Sequence, residues 1–314
     1  MSQPFSHDAA SAARLSETLR AAAAARILVL DGAMGTELMR RGFRPGECPE
    51  EWSVTRRDDV VAIHREYFAA GSDIVNTNTF GGNRLKLDSF GVGDRVVEIN
   101  TAAAQLALGL RDREYAGRFV AGNIGPSGHL LEPMGDTDPE TVAAAFREQA
   151  ETLIAAGVDL INIETMFDLT EARLAVEAAR AAAGERPVLA SMAFAAASKG
   201  YRTMMGVDPS AAVATLREAG ATLVGCNCEI SAEAMNALVP ILADLNGGFT
   251  YTQPNAGQPR LVGGVTVYEE TAEHFAAVVS GFVAHGAGIV GGCCGTTPAF
   301  ITALAAALGR ARSI

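Results

Sequence analysis

Three cysteines carry the strongest chemical signal in this chain. Cys293 and Cys294 stand side by side in the segment GGCCGTTP, and Cys228 ends the segment GCNC. Three thiolates suit Zn²⁺, and three protein ligands leave the fourth tetrahedral position open for catalysis. A metal there would deprotonate an incoming substrate thiol, while its electron-rich ligands keep that sulfur nucleophilic. The residue types therefore predict a zinc centre for alkyl transfer to a thiol, if the fold brings the cysteines together.

The other two cysteines, Cys48 and Cys226, receive a different interpretation. Cys226 precedes Cys228 by two residues on one strand, so we expect it to share that side-chain direction one layer deeper in the core. Cys48 is assigned to a loop. For the adjacent pair, the alternative to metal binding is burial as small hydrophobic side chains, the usual fate of a free cysteine. So few and so clustered cysteines argue against a secreted disulfide framework.

The elements that must position these cysteines alternate along the chain. Eight short apolar runs read as strands: 27–31, 73–79, 119–124, 158–164, 187–193, 222–228, 249–253 and 287–292. Eight helical patterns follow them in turn, near 56–70, 94–110, 139–156, 168–183, 208–219, 231–245, 268–285 and 297–310. Eight strand–helix units predict an α/β fold, a single (β/α)8 TIM barrel.

A weak internal repeat places the cysteines within this barrel. The second, fourth, sixth and eighth strands each follow a helix-ending glycine, and a polar or thiol residue stands seven positions after it: Asn78, Glu164, Asn227 and Cys293. This shared register puts the four residues at one level, the C-terminal mouth, where barrels of this class build their active sites. Three thiols are therefore expected to converge at the mouth.

Composition limits the remaining possibilities. The chain has 314 residues, 49% of them hydrophobic, with a net charge of -11 and a pI near 5.0. An acidic surface argues against nucleic-acid binding, and no apolar run is long enough to span a membrane, so we expect a cytoplasmic protein. We assign residues 1–25, which are rich in alanine, to an N-terminal helical extension and residues 26–314 to the barrel. A homo-oligomer is compatible with this sequence.

Two carboxylates are candidates for binding an amino acid. Asp31 ends the first strand and Glu164 ends the fourth, so both are poised to meet an ammonium group at the mouth. The segment DGAMG also offers backbone N–H groups that can hold a substrate carboxylate. The alternatives are a turn cap for Asp31 and a structural ion pair for Glu164.

Seven segments together resemble the homocysteine S-methyltransferase family over residues 26 to 310: DGAMGTEL, NTNTFGGN, GNIGPSG, IETMFD, GCNC, PNAGQP and GGCCGTTP. The resemblance implies a (β/α)8 barrel and the formation of methionine from homocysteine. It implies zinc held by Cys228, Cys293 and Cys294. It further implies that Asp31 and Glu164 contact the amino group of homocysteine. The backbone near Gly32 and Thr77 is implied to contact its carboxylate.

The methyl donor is a separate question. We expect a small onium compound, betaine-like or S-methylmethionine. Gly81 stands where the animal betaine enzymes of this family carry a tyrosine that contacts the donor, which argues against betaine itself. Trp52 is a candidate donor-site residue because an indole face can stack on an onium methyl group, and loop packing is its alternative. The alternative function is a homocysteine-binding subunit of a split cobalamin-dependent methionine synthase, which receives the methyl group from a separate corrinoid protein.

Overall fold

Eight parallel strands form a barrel in the computed structural model, which describes residues 25–262 and 265–309. The strands are β1 (Leu28–Val29), β2 (Ile74–Asn76), β3 (Phe119–Ile124), β4 (Leu160–Met166), β5 (Val188–Met192), β6 (Leu223–Ser231), β7 (Thr250–Asn255) and β8 (Ala287–Val290). Each pairs with its neighbours in parallel, in the order β1-β8-β7-β6-β5-β4-β3-β2, and a parallel bridge between Leu30 and Ile74 closes the ring. The predicted single (β/α)8 barrel is confirmed.

Helices follow the strands and form the outer layer. The main ones are α1 (Arg57–Ala70), α2 (Val96–Glu114), α3 (Pro139–Ala156), α4 (Leu169–Ala183), α5 (Pro209–Glu218), α6 (Val239–Leu245), α7 (Ala272–Gly281) and α8 (Pro298–Ala307). Several begin with a capped first turn: the carboxylates of Asp138, Asp168 and Asp208 each accept a hydrogen bond from the backbone N–H three residues later in the chain. The predicted extension over residues 1–25 lies outside the described residues, apart from Ala25.

The strands divide the core into two layers because successive side chains point to opposite faces. One cluster of buried side chains fills the barrel interior, including Leu28, Phe119, Leu223 and Tyr251. A second, larger cluster packs the outer face of the strands against the helices, and Cys226 belongs to it. The expectation that Cys226 is core is confirmed, since it is buried. The expectation that it points into the barrel beneath Cys228 is wrong.

A buried carboxylate holds several segments together at the N-terminal end of the barrel. Asp73, at the start of β2, accepts hydrogen bonds from the Arg26 guanidinium at 2.8 and 2.9 Å and from the Val29 amide at 2.9 Å, and it also pairs with Arg118. A buried carboxylate with this many charged and amide partners is stabilised in place. This end therefore serves the fold, and the opposite end is left free for chemistry.

The C-terminal mouth is shaped by long loops after the odd-numbered strands. The loop after β1 contains the short helices Met34–Arg40 and Trp52–Thr55. The loops after β5 and β7 each form a two-stranded hairpin, Ala195–Ala196 with Tyr201–Arg202 and Arg260–Val262 with Val265–Val267. Across the part of the chain that is described, no helix combines the length and apolar character needed to cross a membrane.

Candidate metal and substrate site

The three predicted cysteines meet at the mouth. The sulfur atoms of Cys228, Cys293 and Cys294 all lie within 4.8 Å of one another, and those of Cys228 and Cys294 are 3.7 Å apart. Two sulfurs bound to one tetrahedral zinc at about 2.3 Å would be separated by roughly 3.8 Å, so this spacing fits a shared zinc ion. All three side chains are half-buried and none is in a disulfide. The arrangement is chemically suited to a thiolate-bound metal.

Backbone strain brings Cys228 to the mouth. Cys228 and Glu229 both have φ of 58°, a left-handed conformation that residues with a side chain rarely adopt. This turn breaks the alternation of β6, so Cys228 reaches the mouth although Cys226 points outward. Strain of this kind persists only where surrounding contacts hold it, and it is concentrated at functional sites.

The turn that carries the other two cysteines is held by backbone hydrogen bonds and close packing. The Cys293 amide donates to the Pro254 carbonyl at 2.8 Å, and the Ala256 amide donates to the Cys294 carbonyl at 2.9 Å. A Cβ atom at Gly292 would lie 2.5 Å from Thr296 Oγ1, so only glycine fits there. The side-chain oxygen of Asn255, between Pro254 and Ala256, is buried without a hydrogen-bond partner.

The thiols share their protons unequally. Hydrogen bonding from Cys228, and then from Cys293, lowers the pKa of Cys294 to about 3. Hydrogen bonding to Cys228 is also the main cause that raises the pKa of Cys293 well above its usual value. A cluster that already favours one thiolate offers a negative centre to a cation, and a bound metal ion would stabilise the ionised form of the other two.

A carboxylate stands beside this cluster. Glu164, in β4, is buried, and its Oε1 accepts a hydrogen bond from the Asn123 side-chain amide at 2.8 Å. Burial is the main reason that the pKa of Glu164 rises to about 7, and the negative charge of a Cys228 thiolate adds to the effect. The Asn123 side-chain oxygen is buried with no partner. An ammonium group beside Glu164 could donate hydrogen bonds to its carboxylate and to the Asn123 side-chain oxygen.

Asn227 connects the cysteines to this carboxylate. Its side-chain oxygen accepts bonds from the Thr165 amide and the Ser191 hydroxyl, both at 2.8 Å. Its side-chain nitrogen donates to Thr165 Oγ1 at 2.7 Å and to the Cys293 sulfur at 3.7 Å. The register placed Asn227 at the mouth without indicating these contacts.

One cavity of about 280 Å³ contains most of these groups. Its walls include the three cysteines, Glu164 and Thr77 from the sequence prediction, together with Ala33, Met34, Glu50, Asn78, Phe80, Asn123, Thr165 and Tyr268. Within the described part of the chain, no lysine, arginine or histidine lines this cavity. The site is therefore rich in carboxylates and thiols, and it favours a cationic or zwitterionic ligand over an anionic one.

Of the other predicted contact residues, Asp31 and Gly32 lie outside the cavity lining, and Thr77 is part of it. Asp31 is buried, and its two oxygens accept hydrogen bonds from the Asn76 amide at 2.8 Å and the Asn76 side chain at 3.0 Å. Gly32 is buried so tightly that a Cβ atom would lie 2.7 Å from Thr296 Oγ1. Thr77 lines the cavity, although its amide already donates to the Ala121 carbonyl at 2.9 Å.

Trp52 packs inside the first long loop. It is buried, its ring meets Phe43 edge-on at 5.9 Å, and the Arg56 guanidinium lies 4.2 Å from the ring centre. An arginine already covers the aromatic face that an onium group would use. These contacts match the loop-packing alternative, and the donor-site role stays a prediction.

Three wall residues were missed by the sequence reasoning: Glu50, Asn123 and Tyr268. Asn123 lies within the quoted segment GNIGPSG, and its place near the end of a strand was the available signal. Glu50 is a buried carboxylate whose Oε1 accepts a bond from the Gly81 amide at 2.7 Å. A Cβ atom at Gly81 would lie 2.9 Å from that oxygen, so Glu50 occupies the space next to Gly81. Tyr268 follows the hairpin after β7, and no sequence pattern linked it to the thiols.

The chain matches known proteins over most of its length. The family model for homocysteine S-methyltransferase matches residues 28–308. The methionine synthases of Mycobacterium tuberculosis (strain ATCC 25618 / H37Rv) and Mycobacterium leprae (strain TN) are each 34% identical to the chain, over 300 and 301 residues. These alignments cover 90% and 91% of this chain but 25% of each relative, so the chain spans about a quarter of their length.

The chain is also similar to a solved enzyme of about its own size. The homocysteine methyltransferase MmuM from Escherichia coli, in its metallated form, superposes with a TM-score of 0.75 at 26% identity, covering 92% of this chain and 99% of that one. Its oxidised form gives the same values. With the family match over nearly the whole barrel and the cysteine cluster at its mouth, this chain is an enzyme that belongs to the homocysteine S-methyltransferase family.

Proposed function

We propose that this enzyme is a zinc-dependent homocysteine S-methyltransferase that takes a methyl group from a small onium donor and forms methionine. The observation that carries the proposal is that three cysteine sulfurs and the Glu164 carboxylate line one cavity. Homocysteine has a thiol at one end and an ammonium at the other, and the cavity offers a complementary group for each. Zinc held by Cys228, Cys293 and Cys294 would supply Lewis-acid activation of the substrate thiol.

The residues of the chain orient the substrate. Glu164 and the free oxygen of Asn123 would hold the ammonium group by charge-assisted hydrogen bonds. Asp31 is a proposed contributor of negative charge next to it, and the substrate carboxylate is proposed to lie near Gly32 and Thr77. Homocysteine held at both its sulfur end and its amino-acid end loses little further conformational freedom before the sulfur attacks. Positioning therefore supplies a large part of the proposed rate enhancement.

The walls of the cavity favour a cationic donor. Glu50 and Glu164 are both buried carboxylates, and no basic side chain lines the described cavity. Phe80 and Tyr268 add aromatic surface, which attracts onium groups. The methyl carbon bonds to the attacking sulfur as its bond to the onium atom breaks, and the electron pair of that broken bond stays on the donor and neutralises it. The demethylated donor is therefore held less tightly than the donor itself. We propose S-methylmethionine, which carries a net positive charge, ahead of betaine, which is a zwitterion without net charge, because carboxylates and no basic side chains line the described cavity.

A second candidate function rests on the relatives. The chain is 34% identical to one quarter of two methionine synthases, so it is also consistent with a homocysteine-binding subunit that receives its methyl group from another protein. The proposed partner in that case is a methylated corrinoid protein.

A donor screen separates these candidates. Zinc-loaded protein would be incubated with homocysteine and, in separate reactions, with S-methylmethionine, betaine or a methylated corrinoid protein, and methionine would be measured by mass spectrometry. We expect methionine from an onium donor without any added protein. Methionine formed only with the corrinoid protein would favour the second function, and no methionine under any condition would contradict both.

A further inference from the structure

Asn227 has more hydrogen bonds to the site than any role as a spacer between Cys226 and Cys228 requires. Its side chain is fully buried, and four contacts satisfy it: the amide and hydroxyl of Thr165, the hydroxyl of Ser191 and the sulfur of Cys293. These contacts join β6 to β4, to β5 and to the turn after β8. One side chain therefore ties the metal-ligand turn to the strand that ends next to Glu164.

Two residues next to this network, Thr165 and Cys228, have a strained backbone. Thr165 follows Glu164 directly and has φ of 62°, and Cys228 follows Asn227 directly with φ of 58°. Both conformations are unfavourable for residues with a side chain and need external contacts to persist. Asn227 bonds the amide and the hydroxyl of Thr165, which fixes the first of them. Asn227 thus contacts both the residue that follows Glu164 and the sulfur of Cys293, so it contributes to the positions of both.

We propose that Asn227 is a positioning residue that fixes the spacing between the sulfur end and the ammonium end of the bound amino acid, and so selects homocysteine over cysteine. This inference rests on the proposed binding of homocysteine between the thiols and Glu164. Cysteine carries the same thiol and ammonium groups with one methylene fewer between them. A rigid spacing is satisfied by only one of the two chain lengths, whereas a loosened spacing accepts both.

The test is the ratio of the two affinities. Zinc-loaded wild-type protein and the variants Asn227→Ala and Asn227→Asp would be titrated calorimetrically with homocysteine and with cysteine. One methylene in a fitted pocket changes affinity by about 10–200-fold. We expect Asn227→Ala to reduce the homocysteine-to-cysteine affinity ratio by about tenfold or more. Asn227→Asp keeps the acceptor oxygen but loses the donor to the Cys293 sulfur, and we expect it to lower the same ratio even if Asn227→Ala does not fold.

A matched control comes from another asparagine that contacts β6. The Asn246 side chain donates to the Val224 and Leu242 carbonyls at 2.9 and 2.8 Å, away from the cavity. Asn246→Ala should lower stability and leave the affinity ratio unchanged. Cobalt-loaded samples add a spectroscopic readout, because losing a hydrogen bond to Cys293 should shift the sulfur-to-cobalt absorption bands of the Asn227 variants and not those of Asn246→Ala.

Two results would overturn parts of the account separately. If both Asn227 variants lose homocysteine and cysteine affinity to the same degree, with cobalt bands like the wild type, Asn227 serves only the fold. If the wild-type protein binds no homocysteine, the proposed function fails before the role of Asn227 is reached.

Discussion

Glu164 lies in a poorly solvated site, and the role proposed for it, binding an ammonium group, needs a full negative charge. Its pKa of about 7 means that the carboxylate of the free enzyme is half-protonated near neutral pH. Only the ionised form can pair with an ammonium group, so protonation competes with homocysteine binding below pH 7. The proposed role therefore makes homocysteine binding depend on the pKa of Glu164, and that dependence can be measured.

Glu164→Gln keeps the shape of the side chain and removes its charge. We expect homocysteine affinity to fall by about 10–100-fold at pH 8, since a hydrogen bond between charged groups is worth about 1.5–3 kcal/mol. Binding also releases the thiol proton, so both proteins should bind more tightly as pH rises. The homocysteine affinity of the wild type should fall more steeply below pH 7 than that of the variant, because only the wild type has a carboxylate that becomes protonated there. Calorimetric titration between pH 6 and 9 measures both, and identical pH profiles would assign Glu164 to a structural role.

The five cysteines should separate into two groups. Replacing Cys228, Cys293 or Cys294 by alanine should each abolish zinc retention and activity, because two thiolates do not complete the site. Cys226→Ala and Cys48→Ala should keep both, since Cys226 packs among the outer helices and Cys48 lies in the first loop. Zinc per protein, measured by atomic emission after gel filtration, tests this. Zinc loss in Cys226→Ala with retention in Cys228→Ala would contradict the arrangement.

Residue types and register were enough to predict the thiol cluster and the nearness of Glu164. They were not enough for Cys226, because the prediction assumed regular alternation through Cys228 and could not include a φ of 58°. Glu50 and Tyr268 were missed because loop geometry brings them to the cavity, and no regular spacing relates them to the cysteines. Asn123 lies near the end of β3, an odd-numbered strand that the internal repeat does not include.

Elements were predicted more completely than contacts. All eight strands and the order of the helices follow from alternating apolar runs and helix signals. One predicted helix over 231–245 is interrupted, with pieces at Ala232–Met235 and Val239–Leu245. Pro240 stands in the first turn of the second piece, where its missing N–H is tolerated, whereas it would break a continuous helix.

Helix α1 contains a buried histidine that should make the fold sensitive to acid. Both ring nitrogens of His64 are buried without partners, and burial lowers its pKa from 6.5 to about 4. The folded protein keeps this ring neutral while the unfolded chain protonates it below pH 6.5. Stability should therefore fall as pH drops from 6.5 to 4, by about 3 kcal/mol from this residue.

A comparison with His64→Phe isolates this contribution from those of the acidic residues. Urea unfolding of the two proteins between pH 7 and 4 should show the wild type losing more stability than the variant across that range. If the stabilities of the two proteins fall equally with pH, the His64 ring must be hydrogen-bonded to water or to another acceptor in solution.

At the scale of the whole molecule, the metal should link strands that do not pair with each other. The cysteine ligands come from β6 and from the turn after β8, so a bound ion joins the two strands that flank β7. A ligand that binds only the folded state stabilises it, by about 4 kcal/mol at a thousandfold excess over its dissociation constant. Zinc removal by a chelator should therefore lower the melting temperature by several degrees, and homocysteine should raise it only in the zinc-loaded protein. Equal melting temperatures with and without zinc would argue against a site at the mouth.

In the proposed site, the homocysteine sulfur binds a metal held by three cysteines. X-ray absorption at the zinc edge, recorded on loaded protein before and after homocysteine addition, tests this claim most directly. We expect three sulfur neighbours before addition and four afterwards. A sulfur count that stays the same after homocysteine is bound would contradict it.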